Sequence, residues 1–365
     1  MPDKVQPNQK QPFTFKQLQN SIPKHCFQRN LLTSFSYVFV DLLLASLLFY
    51  FATFIQHSKL QIFYLPLYWI SQGVVCTGIW VLAHECGHQA FSDYGWVNDT
   101  VGFILHSALL VPYFAWKRTH ANHHKKCAHM DYDQVFVPKT RSQMNLPDGE
   151  DLALSVPIVS LLESIKMLLL GWPAYLLFNI SSQQYDQWVS HFIPSAPIFE
   201  KSDYNDIVKS NIGVLFTISI LVYLSNIFSF LDVAKYYIVP YLVVNGFLVL
   251  ITFLQHTHPD IPHYRGEEWS FLAGALATVD RDYGILNYFF HHIGNTHVAH
   301  HLFSKMPHYH AQEATEAIKK VLGSYYKFDN KGIFQALIDT MNECRYVEDT
   351  GDIVYYVNLK EKKAK

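Results

Sequence analysis

The sequence predicts an all-α integral membrane protein. Four transmembrane helices pair as two hairpins, with interfacial helices between them and a cytosolic histidine-rich cap. Three observations carry that expectation. Half of the 365 residues are hydrophobic and 16% are charged, whereas charged residues make up about a quarter of a soluble domain. Four stretches are long and apolar enough to cross a hydrocarbon core of about 30 Å as helices. Of the 20 histidines, seven lie between His84 and His129 and ten between His256 and His310. That clustering points to metal.

Residues 1–30 are polar, contain Pro2, Pro7, Pro12 and Pro23, and read as a cytosolic tail without a cleavable signal. The first span, 31–55, carries one charge, Asp41. Asp41 is expected either to act as a carboxylate within the membrane or to hydrogen-bond neighbouring helices. The spans 60–83, 212–231 and 236–254 carry no charge. Two further stretches are weaker: 101–116 contains Pro112, and 152–178 holds Glu163 and Lys166 and is interrupted by Gly171-Trp172-Pro173.

If the histidine stretches build one site, they share a membrane face. Neither weak stretch can then span, and both read as interfacial or re-entrant. Lys and Arg set the orientation. Lys4, Lys10, Lys16, Lys24 and Arg29 precede the first span, and Lys117, Arg118, Lys125, Lys126, Lys139 and Arg141 accompany the histidines. The opposite loops carry only Lys59 and Lys235. The histidines and both termini are therefore expected in the cytosol, with the sequons at Asn98 and Asn179 unglycosylated. Lys362-Lys363-Ala364-Lys365 reads either as an endoplasmic reticulum retrieval signal or as a solvated basic tail. One domain is expected over 31–323, followed by a cytosolic tail over 324–365, with 181–210 covering the cytosolic face.

An aromatic content of 16% excludes a disordered chain. A formal charge of -2 gives no bulk attraction for nucleic acid. Five scattered cysteines without a CxxC suit a reducing compartment.

Three histidine patterns carry chemistry: His84-Glu-Cys-Gly-His88, His120-Ala-Asn-His123-His124 and His297-Val-Ala-His300-His301. On a helix, residues three and four apart share a face, so each pattern is a patch of ligands. Eight imidazoles exceed the needs of one tetrahedral metal. Two metals fit better, and imidazole suits iron, zinc, copper or nickel. The first pattern also matches the HExxH of zinc metalloproteases, with Glu85 as base. That reading leaves the other two patches unexplained. A metal-handling membrane protein without catalysis would place histidines within its spans, and here they lie outside.

The chain resembles the membrane-bound fatty-acyl desaturases, most closely the oleate Δ12 (ω-6) and related ω-3 branch. The likeness rests on Ala83-His-Glu-Cys-Gly-His-Gln-Ala-Phe91, Val111-Pro-Tyr-Phe-Ala-Trp-Lys117, Val135-Phe-Val-Pro-Lys139, Gln255-His-Thr-His-Pro259, Ala277-Thr-Val-Asp-Arg-Asp-Tyr-Gly-Ile285, Thr296-His-Val-Ala-His-His301 and Pro307-His-Tyr-His310. It spans roughly residues 13–323 and is weaker over 141–240.

The resemblance implies a diiron centre, two Fe per chain, held by His84, His88, His120, His123, His124, His297, His300 and His301. It implies a ninth histidine at the end of the last span. His256, which continues the helix of 236–254, is favoured over His258, His291 and His292. His106, His129, His263, His308 and His310 lack the patch spacing and read as surface residues. Asp131, Asp133, Asp280 and Asp282 read as acceptors behind the ligands or as caps and surface ion pairs.

The implied reaction introduces a cis double bond into an oleoyl chain, in phosphatidylcholine, using O2 and two electrons. Hydroxylase, epoxygenase, acetylenase or ω-3 outcomes share the same histidines. The chain has no GxGxxG, no Cys cluster and no His-Pro-Gly-Gly haem motif. A separate electron donor is thus expected, and the resemblance implies cytochrome b5 with its NADH-dependent reductase, docking on Lys117, Arg118, Lys125 and Lys126 or leaving those residues to lipid headgroups. An apolar tunnel among the spans is expected to hold the acyl chain.

Overall fold

The computed structural model describes residues 11–55, 61–147 and 157–357. Lys59 and the dilysine at Lys362-Lys363 lie outside the described residues. Helix α1 (Phe15–Ser21) opens on a capping box between Thr14 and Gln17, which satisfies two orphan backbone donors. Helix α2 (Leu31–Phe54) starts where the Asn30 side chain accepts Thr33 N–H. Helix α3 (Gln61–Gly87) packs along α2.

Next come α4 (Gly95–Ala108) and α5 (Tyr113–Lys126), separated by a break with Leu110 at φ 56° and Pro112. At 1.5 Å per residue, α4 is about 21 Å long, too short to cross. After α6 (Pro157–Phe178) and α7 (Tyr204–Ile227), the turn α8 (Phe230–Val233) leads through a π-helical turn into α9 (Val239–His256). Gly73 of α3 sits where a Cβ would collide with Val243, and this sets the close approach of α3 to α9.

Among the described residues, five helical stretches are long and apolar enough to cross a membrane: Leu31–Phe54, Gln61–Gly87, Ile158–Phe178, Lys201–Ile227 and Phe230–His256. Their outer faces show a belt of large apolar side chains. Leu32, Phe54, Phe63, Phe216 and Leu231 are each at least 66% exposed, a surface that suits lipid rather than water.

Helix α6 corrects one expectation, because Gly171-Trp172-Pro173 does not interrupt it. Its Gly171 face lies against Val249 of α9, and that packing carries the helix across the proline. Both ends of α6 are tied to the cap. Ser160 Oγ donates to Asn342 Oδ1 at 2.7 Å near one end, and beyond the other Val137 N–H donates to Ser181 O at 3.1 Å.

The cap is built on short elements. Strand β1 (His263–Tyr264) pairs antiparallel with β4 (Ile353–Val354), and β2 (Asp280–Arg281) pairs parallel with β3 (Phe328–Asp329). The turns α10 (Phe271–Ala275) and α11 (Leu286–Phe289) precede α12 (His297–Leu302), α13 (Ala311–Leu322) and α14 (Ile333–Glu343).

Residues 324–357, expected as a tail, are part of this cap. Ala336 and Leu337 of α14 bury against Phe253 and Leu254, and Asp329 pairs with the fully buried Arg281. The N-terminal segment is also folded: Phe13, Leu18, Ile22 and Cys26 bury against Val298, Leu302, Ala314 and Ile318. Two-residue strands and an eleven-residue helix carry too little periodicity to announce themselves in sequence.

Asp41 is hydrogen-bonded to His291, Nε2 to Oδ2 at 2.8 Å. Lys117 is ion-paired with Asp99, and Arg118 with Asp203 and Asp206. These two basic residues therefore tie α5 to its neighbours. Asn98 is fully buried and bonded to Ser92, and Asn179 is also buried.

Candidate metal centre

Four helix segments bring histidines to one place beneath the cap. His84 and His88 ride the end of α3, and His120, His123 and His124 ride α5. His256 ends α9, and His297, His300 and His301 ride α12. The side chains sort into two groups. His84, His88, His120, His124 and His300 form the first, with one ligand atom from each lying within 4.8 Å of every other. His123, His256 and His301 form the second, together with Cys127. His297 joins it, its Nε2 2.9 Å from that of His256.

Helical spacing explains the sorting. His120 and His124, four apart on α5, face the first group, while His123 faces the second. On α12, His297 and His301 face the second group and His300 the first. The His124 and His301 rings stack at 4.1 Å and join the two groups.

This donor set fits metal. Nε2 of His84 lies 2.9 Å from Nε2 of His120 and 3.2 Å from that of His88, and Nε2 of His123 lies 3.4 Å from that of His256. Burial, reinforced by the neighbouring imidazoles, holds His88, His120, His124, His297 and His301 well below the usual histidine range and His300 at about 3. These rings are therefore neutral, the form that ligates. Both nitrogens of His301, Nε2 of His300 and Nδ1 of His124 and His297 are buried without a hydrogen-bond partner in the protein. Neutral imidazoles whose Nε2 atoms crowd together at 2.9–3.4 Å suit a cation between them, and an imidazole-rich set suits iron, zinc or copper.

Behind the ligands, Asp133 Oδ1 accepts from His123 Nδ1 at 2.6 Å, and its Oδ2 accepts from Ala128 N–H. Asp133 thus meets the expectation of an acceptor, whereas Asp280 reaches His297 only through its backbone N–H. Asp280 accepts from Val298 N–H and Tyr326 Oη, Asp282 from Gly284 N–H and Asn287, and Asp131 lies 3.9 Å from His129.

Glu85 is buried behind the first group. Its Oε1 is 3.6 Å from Nδ1 of His84 and 3.9 Å from Nδ1 of His300, and its Oε2 accepts His308 N–H at 3.0 Å. It faces the nitrogen of His84 opposite the one turned toward the other ligands. A protease base would need the inner side, so the HExxH reading fails on geometry.

His258 lies 3.7 Å from Asp329, His291 binds Asp41, and His292 meets Asn295, so none of the three joins either group. His106, His129, His263 and His308 were expected at the surface and are buried. His106, for example, meets Trp80 O at 3.3 Å. Glu85 and the buried His106 are the residues for which spacing alone supplied no supporting role.

An apolar cavity of about 170 Å³ opens beside the centre. Trp80, Trp116, Phe136, Gly171, Trp172 and Val249 line it, and its inner wall includes His84 and His120 of one group and His123, His256 and His297 of the other. A linear apolar ligand would lie within it against both groups.

The family model described as fatty acid desaturase matches residues 61–331. The chain is 52% identical over 361 residues to the Delta(12) fatty acid desaturase of Mortierella alpina, covering 94% of this chain and 90% of that protein. It is 51% identical over 353 residues to the omega-6 fatty acid desaturase, endoplasmic reticulum isozyme 1, of Glycine max, covering 94% and 88%. It is 48% identical over 357 residues to the Delta(12)-oleate desaturase of Trichosanthes kirilowii, covering 95% and 94%.

Proposed function

The chain belongs to the fatty acid desaturase family and is an oxidoreductase of fatty acids, and from this premise we propose that it converts oleoyl to linoleoyl lipid by forming a cis Δ12 double bond. The substrate is an oleoyl chain esterified in phosphatidylcholine. Two hydrogens leave adjacent methylenes, and with O2, two electrons and two protons the other product is two water molecules. The observation that carries this reading is nine imidazoles in two adjoining groups, all buried but the half-buried His120, five of which form the inner wall of an apolar cavity.

The five histidines of the first group and the four of the second would each hold one iron. Iron supplies the oxidising power needed at a methylene that no side chain can deprotonate. The protein's part is placement. The aromatic walls at Trp80, Trp116 and Phe136 exclude water and align the chain, and the carbon pair that stops against the centre sets the position of the double bond. Asp133 holds the Nδ1 proton of His123, which leaves Nε2 free to ligate.

Four spans, with the cap and both termini in the cytosol and α6 interfacial, agree with α6 being tied to the cap on both sides. Arg118 of α5 pairs with Asp203 and Asp206, so α7 starts on the cap side. The name of the soybean relative agrees with an endoplasmic reticulum membrane. Cytochrome b5, reduced by its NADH-dependent reductase, supplies electrons and docks near the exposed Lys125 and the half-buried Lys126, whose ammonium lies 4.7 Å over the Trp269 ring.

Expression in a host that makes oleate but no linoleate tests the reading. It is upheld by 18:2 with double bonds at Δ9 and Δ12, and a hydroxylated or epoxidised product sinks it.

A further inference from the structure

A second cluster of metal-ligating side chains lies outside the centre described above. We propose that His25, Cys26, His310 and Glu313 form a zinc site that clamps the N-terminal segment onto α13. One ligand atom from each of the four lies within 4.8 Å of every other. Cys26 Sγ is 3.7 Å from His25 Nε2, which is 2.8 Å from Glu313 Oε2. The His310 ring meets that of His25 edge-on at 5.4 Å. In a tetrahedral site with Zn–S of about 2.3 Å and Zn–N of about 2.0 Å, neighbouring ligand atoms stand about 3.3–3.6 Å apart. The observed pairs need only small side-chain movements to reach that spacing.

The donor types select the metal. The first centre is dominated by imidazole, whereas this one combines sulfur, two imidazoles and a carboxylate, a set that suits zinc. Cys26 sits in the turn Lys24–Phe27 with no exposed surface, and its sulfur faces the cluster. His310 and Glu313 lie three residues apart at the start of α13 and share a face.

The consequence is structural. The segment from Phe13 to Cys26 packs on Val298, Leu302 and Ile318, and α12 presents His297, His300 and His301. Asn30 N–H donates to Tyr309 Oη, and Arg29 pairs with Asp93, so the clamp closes a contact already shaped for it. Joining residues 26 and 310 closes a long loop, where a cross-link removes much chain entropy.

The experiment uses the full-length, iron-loaded protein in detergent. Zinc and iron per chain are measured in the wild type and in Cys26→Ser, Glu313→Gln and His84→Ala, with cobalt(II) as a spectroscopic substitute. The expected result is about one zinc per chain in the wild type and in His84→Ala, with a thiolate-to-cobalt charge-transfer band. Zinc and band are lost in Cys26→Ser, and zinc in Glu313→Gln, while iron is unchanged. Zinc should also raise the thermal midpoint of the wild type but not of the two cluster variants. Equal zinc in the wild type and both cluster variants, or a band that survives Cys26→Ser, overturns the proposal. Glu313 is half-exposed, so Glu313→Gln keeps the test decisive should Cys26→Ser fail to fold.

Discussion

Oδ1 of Asp133 lies 2.6 Å from Nδ1 of His123, while the other oxygen of the same carboxylate accepts the Ala128 N–H at the end of α5. One side chain thus fixes both the tautomer of His123 and the turn that follows α5. Asp133→Asn offers an amide donor where an acceptor is needed. It should lower product about 10- to 100-fold, the usual cost of losing such a partner. Iron analysis should show the loss falling on the second group.

His256 is the one histidine of the two groups drawn from α9. His256→Ala should remove the product and lower iron toward one per chain, because the second group keeps only His123, His297 and His301. His258→Ala should retain both irons, since His258 faces Asp329. Metal analysis of the two variants side by side checks this, and equal iron loss in both would count against the assignment.

Burial holds His191 and His263 at about 4, below their unfolded value of 6.5. A depressed histidine means the unfolded chain binds the proton first. Stability is then intact above about pH 6.5 and falls as pH drops toward 4, by up to about 1.4 kcal/mol per pH unit for each such group. The thermal midpoint of iron-free protein should therefore decline steadily from pH 7 to pH 5. A flat profile would contradict it.

Gly171 borders the cavity, and a Cβ there would stand 3.3 Å from Val249. Gly171→Leu should fill the channel and cut conversion of an 18-carbon chain at least about tenfold through lost alignment. Iron content should stay at the wild-type level. Lipid profiling with metal analysis separates this from a collapsed centre.

Arg281 is fully buried, donates to Leu254 O at 2.8 Å and pairs with Asp329. Asp329→Ala leaves that guanidinium without its counter-charge. Removing one partner of a buried pair costs about 3–5 kcal/mol, so a large fall in the thermal midpoint is expected. Truncation after Gly323 should be at least as damaging.

The histidines that converge were legible because helical spacing puts residues three and four apart on one face, and His256 because it prolongs an uncharged helix. The long apolar helices were legible by length alone. The division of the histidines into two groups was not, since it depends on how α5 and α12 are rotated against each other. Pro173 misled because packing against α9 overrides local preference. The folding of 324–357 was hidden for a related reason: its stability comes from a distant arginine and a helix end, neither of which marks the segment itself.

Each imidazole group draws on residues from His84 or His123 through to His300 or His301. During synthesis neither group can be complete until more than four-fifths of the chain has left the ribosome. Before then the early histidines wait beside an inserted pair of helices with no counter-ligands. A metal that needs either whole group can therefore settle only after the helices carrying the early histidines are made, so supply of the metal follows synthesis of most of the chain.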